Sequence, residues 1–216
     1  MPINITITAD FICPWCLIGE QRLARAIEKL PAGADVQRHW QPFELNPGMP
    51  PEGISRKTYR TMKFGSWERS LMLDQHSVMA AREDGVVFNY DAIEKTPNTF
   101  RAHRLMRLAA RHGHADALAG ALFRAYFQQG RDIGDPAVLA DIASDVGLER
   151  TAAAAFLASD EEAEPVRNAE QAMMRRGIEG VPAFDIDGEA IYGAQPAAVF
   201  VDVLQRAFQR TTARAG

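Results

Sequence analysis

Two cysteines, at positions 13 and 16, are all that the 216 residues contain. That excludes a framework of structural disulfides, and a bridge closing so short a loop would add little stability and would not persist in a reducing compartment. It also leaves no second cysteine pair to complete the four ligands of a structural zinc site. His112 and His114 lie close in sequence, but they read as the solvated end of a helix, so no metal is expected. No run approaches the roughly 18 apolar residues of a membrane span. The opening segment Met1–Asp10 has neither the basic start nor the sustained apolar stretch of a secretory leader. An excess of positive charge is lacking as well: the formal net charge is -4, and Arg175-Arg176 is a pair, not a patch. Nothing here calls for nucleic acid or an anionic membrane. The expectation is a cytoplasmic protein with no nucleic-acid and no membrane partner.

What is present is the profile of a soluble globular protein, 47% apolar and 24% charged. At this length that allows one substantial core, or a small domain with a large insertion. Ile3, Ile5 and Ile7 alternate with polar residues and mark a strand. From Pro14 to Leu30 the apolar residues Leu17, Leu23, Ala24, Ile27 and Leu30 form a helical face, stopped by Pro31 and Gly33. Asp35 to Leu45 reads as a second strand. After a loop rich in Pro and Gly, helical stretches follow at about 55–83 (broken near Gly65), 99–112, 115–129, 136–146 and 149–157. Asp135-Pro136 supplies one clear start, an acidic N-cap with Pro at the first helical position. Another helix over 164–176 leads to a strand through Val181–Asp187, a hairpin turn at Asp187-Gly188, and a strand over 189–192. A last helix opens near Ala194 or Gln195, with Phe200, Val203, Leu204 and Phe208 facing inward. The order β-α-β, helical block, α-β-β-α implies an α/β fold. One mixed sheet flanked by helices, from residues 1–53 and 164–216, would carry a large inserted all-helical domain over 54–163.

The dithiol Cys13-Pro14-Trp15-Cys16 falls at the junction of the first strand and the first helix. A sulfur at a helix N-terminus meets unpaired backbone N–H groups and the positive end of the macrodipole, which favours the thiolate. Pro14 suits the first turn because its missing N–H costs nothing there. Cys16 lies one turn on, shielded, and close enough to attack a mixed disulfide at Cys13. The spacing therefore gives Cys13 the role of nucleophile and Cys16 that of resolving thiol.

Five blocks carry a resemblance: Asp10-Phe11-Ile12-Cys13-Pro14-Trp15-Cys16 with Gly19, Pro42-Phe43-Glu44-Leu45-Asn46-Pro47, Asn98-Thr99-Phe100-Arg101-Ala102-His103-Arg104, Gly180-Val181-Pro182, and Gly193-Ala194-Gln195-Pro196. Running from end to end, they resemble the DsbA-like oxidoreductases, most closely the FrnE-type cytoplasmic branch. The resemblance implies a thioredoxin-like fold with an inserted helical domain and thiol–disulfide exchange through the CxxC pair, with no bound cofactor. It also implies a cis Pro182 beside the dithiol, presenting backbone at Val181 and Pro182 to an extended substrate. Pro14, Trp15 and His103 complete the expected substrate contacts. Partners would be thiol- or disulfide-containing proteins or small molecules, with glutathione as a possible co-substrate. The Pro-Trp dipeptide lacks the histidine of the periplasmic members, which argues for a milder oxidant or a reductase on a scale running from about -120 mV for DsbA to about -270 mV for thioredoxin.

Two other functions remain open on these residues. One is a glutathione-dependent transferase or isomerase of the kappa-class or hydroxychromene-carboxylate isomerase type, although those carry serine where Cys13 stands. The other is a redox-sensing or chaperone-like binding module that uses the helical domain. His103 either faces the dithiol or is a packed histidine. Asp10 either relays protons to Cys16 or serves a turn, and Asn98 reads as a helix N-cap. Trp15 reads as an apolar lip around the nucleophile, Trp40 and Trp67 as core. Oligomeric state and direction of electron flow are left open.

Overall fold

The computed structural model describes residues 1–213. Strand β1 (Ile3–Ala9) leads into helix α1 (Pro14–Ile27) and then β2 (Val36–Pro42), which pairs with β1 in parallel, Ile3 opposite Val36 and Ala9 opposite Pro42. The chain returns to this sheet only after helix α8 (Ala163–Arg175), as the hairpin β5 (Ala183–Ile186) and β6 (Glu189–Tyr192), followed by α9 (Ala197–Ala213). β5 runs antiparallel to β1 and β6 antiparallel to β5, giving the order β2-β1-β5-β6. Asp187 and Gly188 both take positive φ, 48° and 89°. That is the backbone a two-residue turn needs to match the strand twist.

The alternation in β1 decides which layer each residue joins. Ile7 is paired with Phe184, whose ring meets Phe200 of α9 edge-on at 4.9 Å. Ile3, Ile5 and Ile7 therefore share the face covered by α9 and α1, and all are 1% exposed or less. Burying each such side chain contributes about 1.5–3 kcal/mol. The opposite face carries Thr8, whose hydroxyl donates to the Met173 sulfur of α8 at 3.8 Å. Helices thus cover both faces of the mixed sheet. Gly19 lets α1 approach closely, for a Cβ there would stand 2.9 Å from the Phe184 ring and 3.2 Å from Pro182.

Between β2 and α8 lie α2 (Arg56–Phe64), α3 (Trp67–Ala81), α4 (Phe100–Arg111), α5 (Ala115–Phe127), α6 (Pro136–Asp145) and α7 (Arg150–Ala158). This stretch also holds an unexpected two-residue ladder, β3 (Ile54–Ser55) against β4 (Lys95–Thr96). Gly65, at φ 89°, separates α2 from α3, and the Asp135 carboxylate caps α6 through the N–H groups of Ala137 and Val138. The buried Asp74 on α3 takes Arg56 at 2.7 Å and Arg60 at 2.8 Å, which fixes α2 against α3. Arg22 of α1 ties the insertion to the sheet unit, donating to Asp84, to the Ala80 carbonyl and to the Ala194 carbonyl.

Several local expectations are corrected. Trp40 and Trp67 are half-buried, not core. The Trp40 indole N–H needs a polar partner and finds Asp116 at 2.7 Å, while Trp67 lies under the Arg56 guanidinium. Thr99 occupies the N-cap position of α4, and Asn98 serves from one residue upstream, accepting from the Phe100 N–H at 3.0 Å. Gln195 donates back to the Tyr192 carbonyl at 2.8 Å.

Candidate active site

Cys13 is the N-cap residue of α1, with extended backbone (φ -91°, ψ 114°), and Pro14 opens the helix. The first turn closes behind it, the Cys16 N–H reaching the Cys13 carbonyl at 3.1 Å. Both sulfurs are free thiols. Exposure barely separates them, at 4% and 1%, but their surroundings do.

Cys13 opens onto a cavity of about 320 Å³. Ile12, Pro14, Trp15 and Val181 line it from the sheet unit, facing Tyr59, Arg60, Lys63 and His76 of α2 and α3. The Cys13 thiol donates to the Val181 carbonyl at 3.8 Å. Val181–Pro182 is a cis peptide bond, and Gly193 returns a hydrogen bond to the Pro182 carbonyl at 2.8 Å. Trp15 meets His76 edge-on at 5.3 Å, joining the lip of the dithiol to α3. Lys63 is held on the wall by Asn46 at 3.0 Å and the Tyr59 hydroxyl at 2.8 Å.

Cys16 does not line that cavity. Burial pushes its thiol well above the ordinary value, and the neighbouring Cys13 and the Asp10 charge push in the same direction. Behind it is a group of buried polar side chains. Asp10 is fully buried, with one carboxylate oxygen accepting the Leu45 N–H at 2.7 Å and the other 3.6 Å from His103 Nε2. His103 is 3% exposed and stacks against Phe11. Burial alone would lower the imidazole, but Asp10, Glu170 and Glu44 together raise it. Glu170 accepts the Glu44 N–H at 3.1 Å. Desolvation, reinforced by Glu170, pushes the Glu44 carboxyl up to about 7, and desolvation also raises Glu170.

The structure thus brings Cys13, Pro14, Trp15 and Val181 to one cavity, with Pro182 beside it. His103 does not join them. It lines no part of the Cys13 cavity and instead faces the buried Asp10 carboxylate at 3.6 Å. Arg104 of the same block is structural: it donates to the carbonyls of Phe156 in the last turn of α7 and of Ser159 and Glu161 just after it. Sequence reading missed Tyr59, Lys63, His76 and Glu170. Periodicity on α2 and α3 marks the first three only as polar helix positions, and nothing local sets Glu170 apart.

A family model described as the DSBA-like thioredoxin domain matches residues 4–205. The chain belongs to that family. Among relatives, protein YwbO of Bacillus subtilis (strain 168) is 28% identical over 203 residues, covering 93% of this chain and 94% of that one. A solved probable DsbA oxidoreductase from Streptomyces coelicolor is 30% identical, with a TM-score of 0.87 over 96% of this chain and 90% of its own. The cytosolic disulfide reductase DsbM from Pseudomonas aeruginosa, solved with GSH, shares the fold at 22% identity, with a TM-score of 0.64 over 98% of this chain. Among the described residues of this DSBA-like chain, no helix is long and apolar enough to cross a membrane, and no acid, His or Cys cluster could hold a metal ion.

Proposed function

We propose that this DSBA-like protein is a cytoplasmic thiol–disulfide oxidoreductase in which Cys13 is the nucleophile and Cys16 the resolving thiol. The observation that carries the reading is the division of the first turn of α1: Cys13 lies against a cavity and the Val181 carbonyl, and Cys16 is enclosed behind it. Cys13 thiolate attacks one sulfur of a substrate disulfide; the Cys13–substrate bond forms, the substrate S–S bond breaks, and the second substrate sulfur leaves as thiolate and takes a proton. Cys16 then gives up its proton to water and attacks the Cys13 sulfur. The Cys13–Cys16 disulfide forms, the Cys13–substrate bond breaks, and the remaining substrate sulfur leaves as thiolate and takes up a proton. The substrate has gained two electrons and the dithiol has lost them; the reverse sequence oxidises a substrate dithiol. No bound cofactor is needed, because the dithiol carries the electrons.

A cavity of about 320 Å³ is at the small end of ligand sites. It suits a small disulfide, or an exposed cystine on a narrow segment, better than a broad protein surface. Lys63 on its wall favours a substrate with a carboxylate, and glutathione fits as reductant or co-substrate. The same cation favours one second reading, glutathione transfer to an electrophile. Equilibration with glutathione buffers followed by thiol labelling tests the first: a Cys13–Cys16 disulfide should form at a defined potential. If no disulfide forms at any poise, and glutathione conjugation survives removal of Cys16, the second reading replaces it.

A further inference from the structure

Helix α3 has three sides, and two are occupied. Ser70, Asp74, Ser77 and Ala81 are buried, one per turn, on the side that meets α2. On the next side His76 meets Trp15, and the carbonyls of Ala80 and Glu83 accept from Arg22 and Arg25 of α1. The third side carries Leu71, Met72, Val78 and Met79, which are 40%, 61%, 41% and 70% exposed. Four large apolar side chains together on one open helix face are more than scattered surface hydrophobes, and such a patch marks an interaction site.

The pattern of this face identifies its partner. It is symmetric about Gln75: Met72 and Val78 stand three residues to either side, Leu71 and Met79 four, and Glu68 and Arg82 seven. At 3.6 residues per turn these seven positions fall within a band about 120° wide and roughly 21 Å long. Glu68, Gln75 and Arg82 are all exposed. A two-fold axis through Gln75 lays two such helices antiparallel, and the face then meets itself in register. Met72 packs against the partner's Met79 along one edge of the face and Leu71 against the partner's Val78 along the other. Glu68 meets the partner's Arg82 at each end. A parallel arrangement would instead set like charges against each other. Self-complementarity under a two-fold axis is what an isologous contact requires, and an unrelated partner would not call for it. We propose that this face of α3 is the contact of an antiparallel homodimer, with Glu68 and Arg82 fixing its register. The inference does not depend on the thiol chemistry.

Sedimentation velocity of the full chain at low salt, from about 1 to about 200 μM, tests it. The expected result is a dimer that grows with concentration. Met72→Glu/Met79→Glu should weaken it at least about tenfold, because four charges enter an apolar contact. Glu68→Arg and Arg82→Glu should each weaken it about threefold to tenfold, and the double reversal should restore it. All these positions are on the surface, and circular dichroism checks that each variant folds. A wild-type chain that stays monomeric throughout, methionine variants that dimerise as before, or a double reversal that fails to recover would each overturn the proposal.

Discussion

The two sides of the first turn of α1 differ more than the three-residue spacing of the cysteines suggests. On the side of Cys13 the wall is open and carries cations and hydroxyls, Arg60, Lys63 and Tyr59. On the side of Cys16 it is closed, with the Asp10 charge near it, and Asp10, Glu44 and Glu170 in turn surround a single imidazole. One helix end thus turns one sulfur to a cavity and holds the other where a thiolate is costly. The lesson is that the motif supplies two thiols, and the packing of α4 and α8 behind β1 makes them unlike.

Removing the open side's sulfur should have the largest effect. Cys13→Ser should lower disulfide turnover by at least about a thousandfold, read with a small disulfide substrate. Cys16→Ser should keep the first attack and accumulate mixed disulfides visible by mass spectrometry. If instead Cys16→Ser turns over normally, the division between the sides is broken. Gly19→Ala comes next. Its Cβ would meet the Phe184 ring at 2.9 Å and Pro182 at 3.2 Å, so overpacking should cost about 1–3 kcal/mol, measured by urea unfolding. A neutral result would mean that α1 does not rest on β5 as described.

The cation on the open side can be tested separately. Lys63→Gln should lower kcat/KM about tenfold for a carboxylate-bearing disulfide and leave a cationic one unchanged or improved. Equal loss for both would assign Lys63 a structural role only. The acidic side should give the smallest effect, and one that depends on pH. The Glu44 carboxyl is raised from 4.5 to about 7 in the fold. A raised acid binds more protons folded than unfolded, so its contribution to stability is intact below about 4.5 and lost as pH rises through about 7. Glu44→Gln should therefore raise Tm by about 2–4 °C at pH 8, allowing for partial solvent screening, and leave pH 4 nearly unchanged. A larger gain at pH 4 than at pH 8 would reverse the sign and contradict the acidic cluster.

Much of the frame was legible because local chemistry fixes it. Asp135-Pro136 starts a helix whatever packs against it, and Asp187-Gly188 turns a hairpin for reasons within four residues. Cys13 and Pro14 likewise announce a helix start. What was not legible depends on contacts across long sequence separations. His103 meets Asp10 from 93 residues away, and only the packing of α4 turns that imidazole inward and away from the Cys13 cavity. Glu170 reaches the Glu44 N–H across 126 residues, with no periodic signal to set it apart from other helix-surface acids. The ladder of β3 and β4 is two residues long, too short for alternation to register. Trp40 was misjudged because the pattern marks it as apolar, whereas its indole N–H requires the partner it finds in Asp116.

The most direct test of the account is alkylation of the fully reduced protein at neutral pH with a limiting small haloacetamide, followed by peptide mass spectrometry. The two sulfurs are almost equally covered, so accessible area alone predicts little selectivity. The cavity and the raised Cys16 thiol predict label on Cys13 at close to one per chain, with Cys16 untouched until the protein unfolds. Equal labelling of both, or Cys16 first, would contradict the division of roles between them.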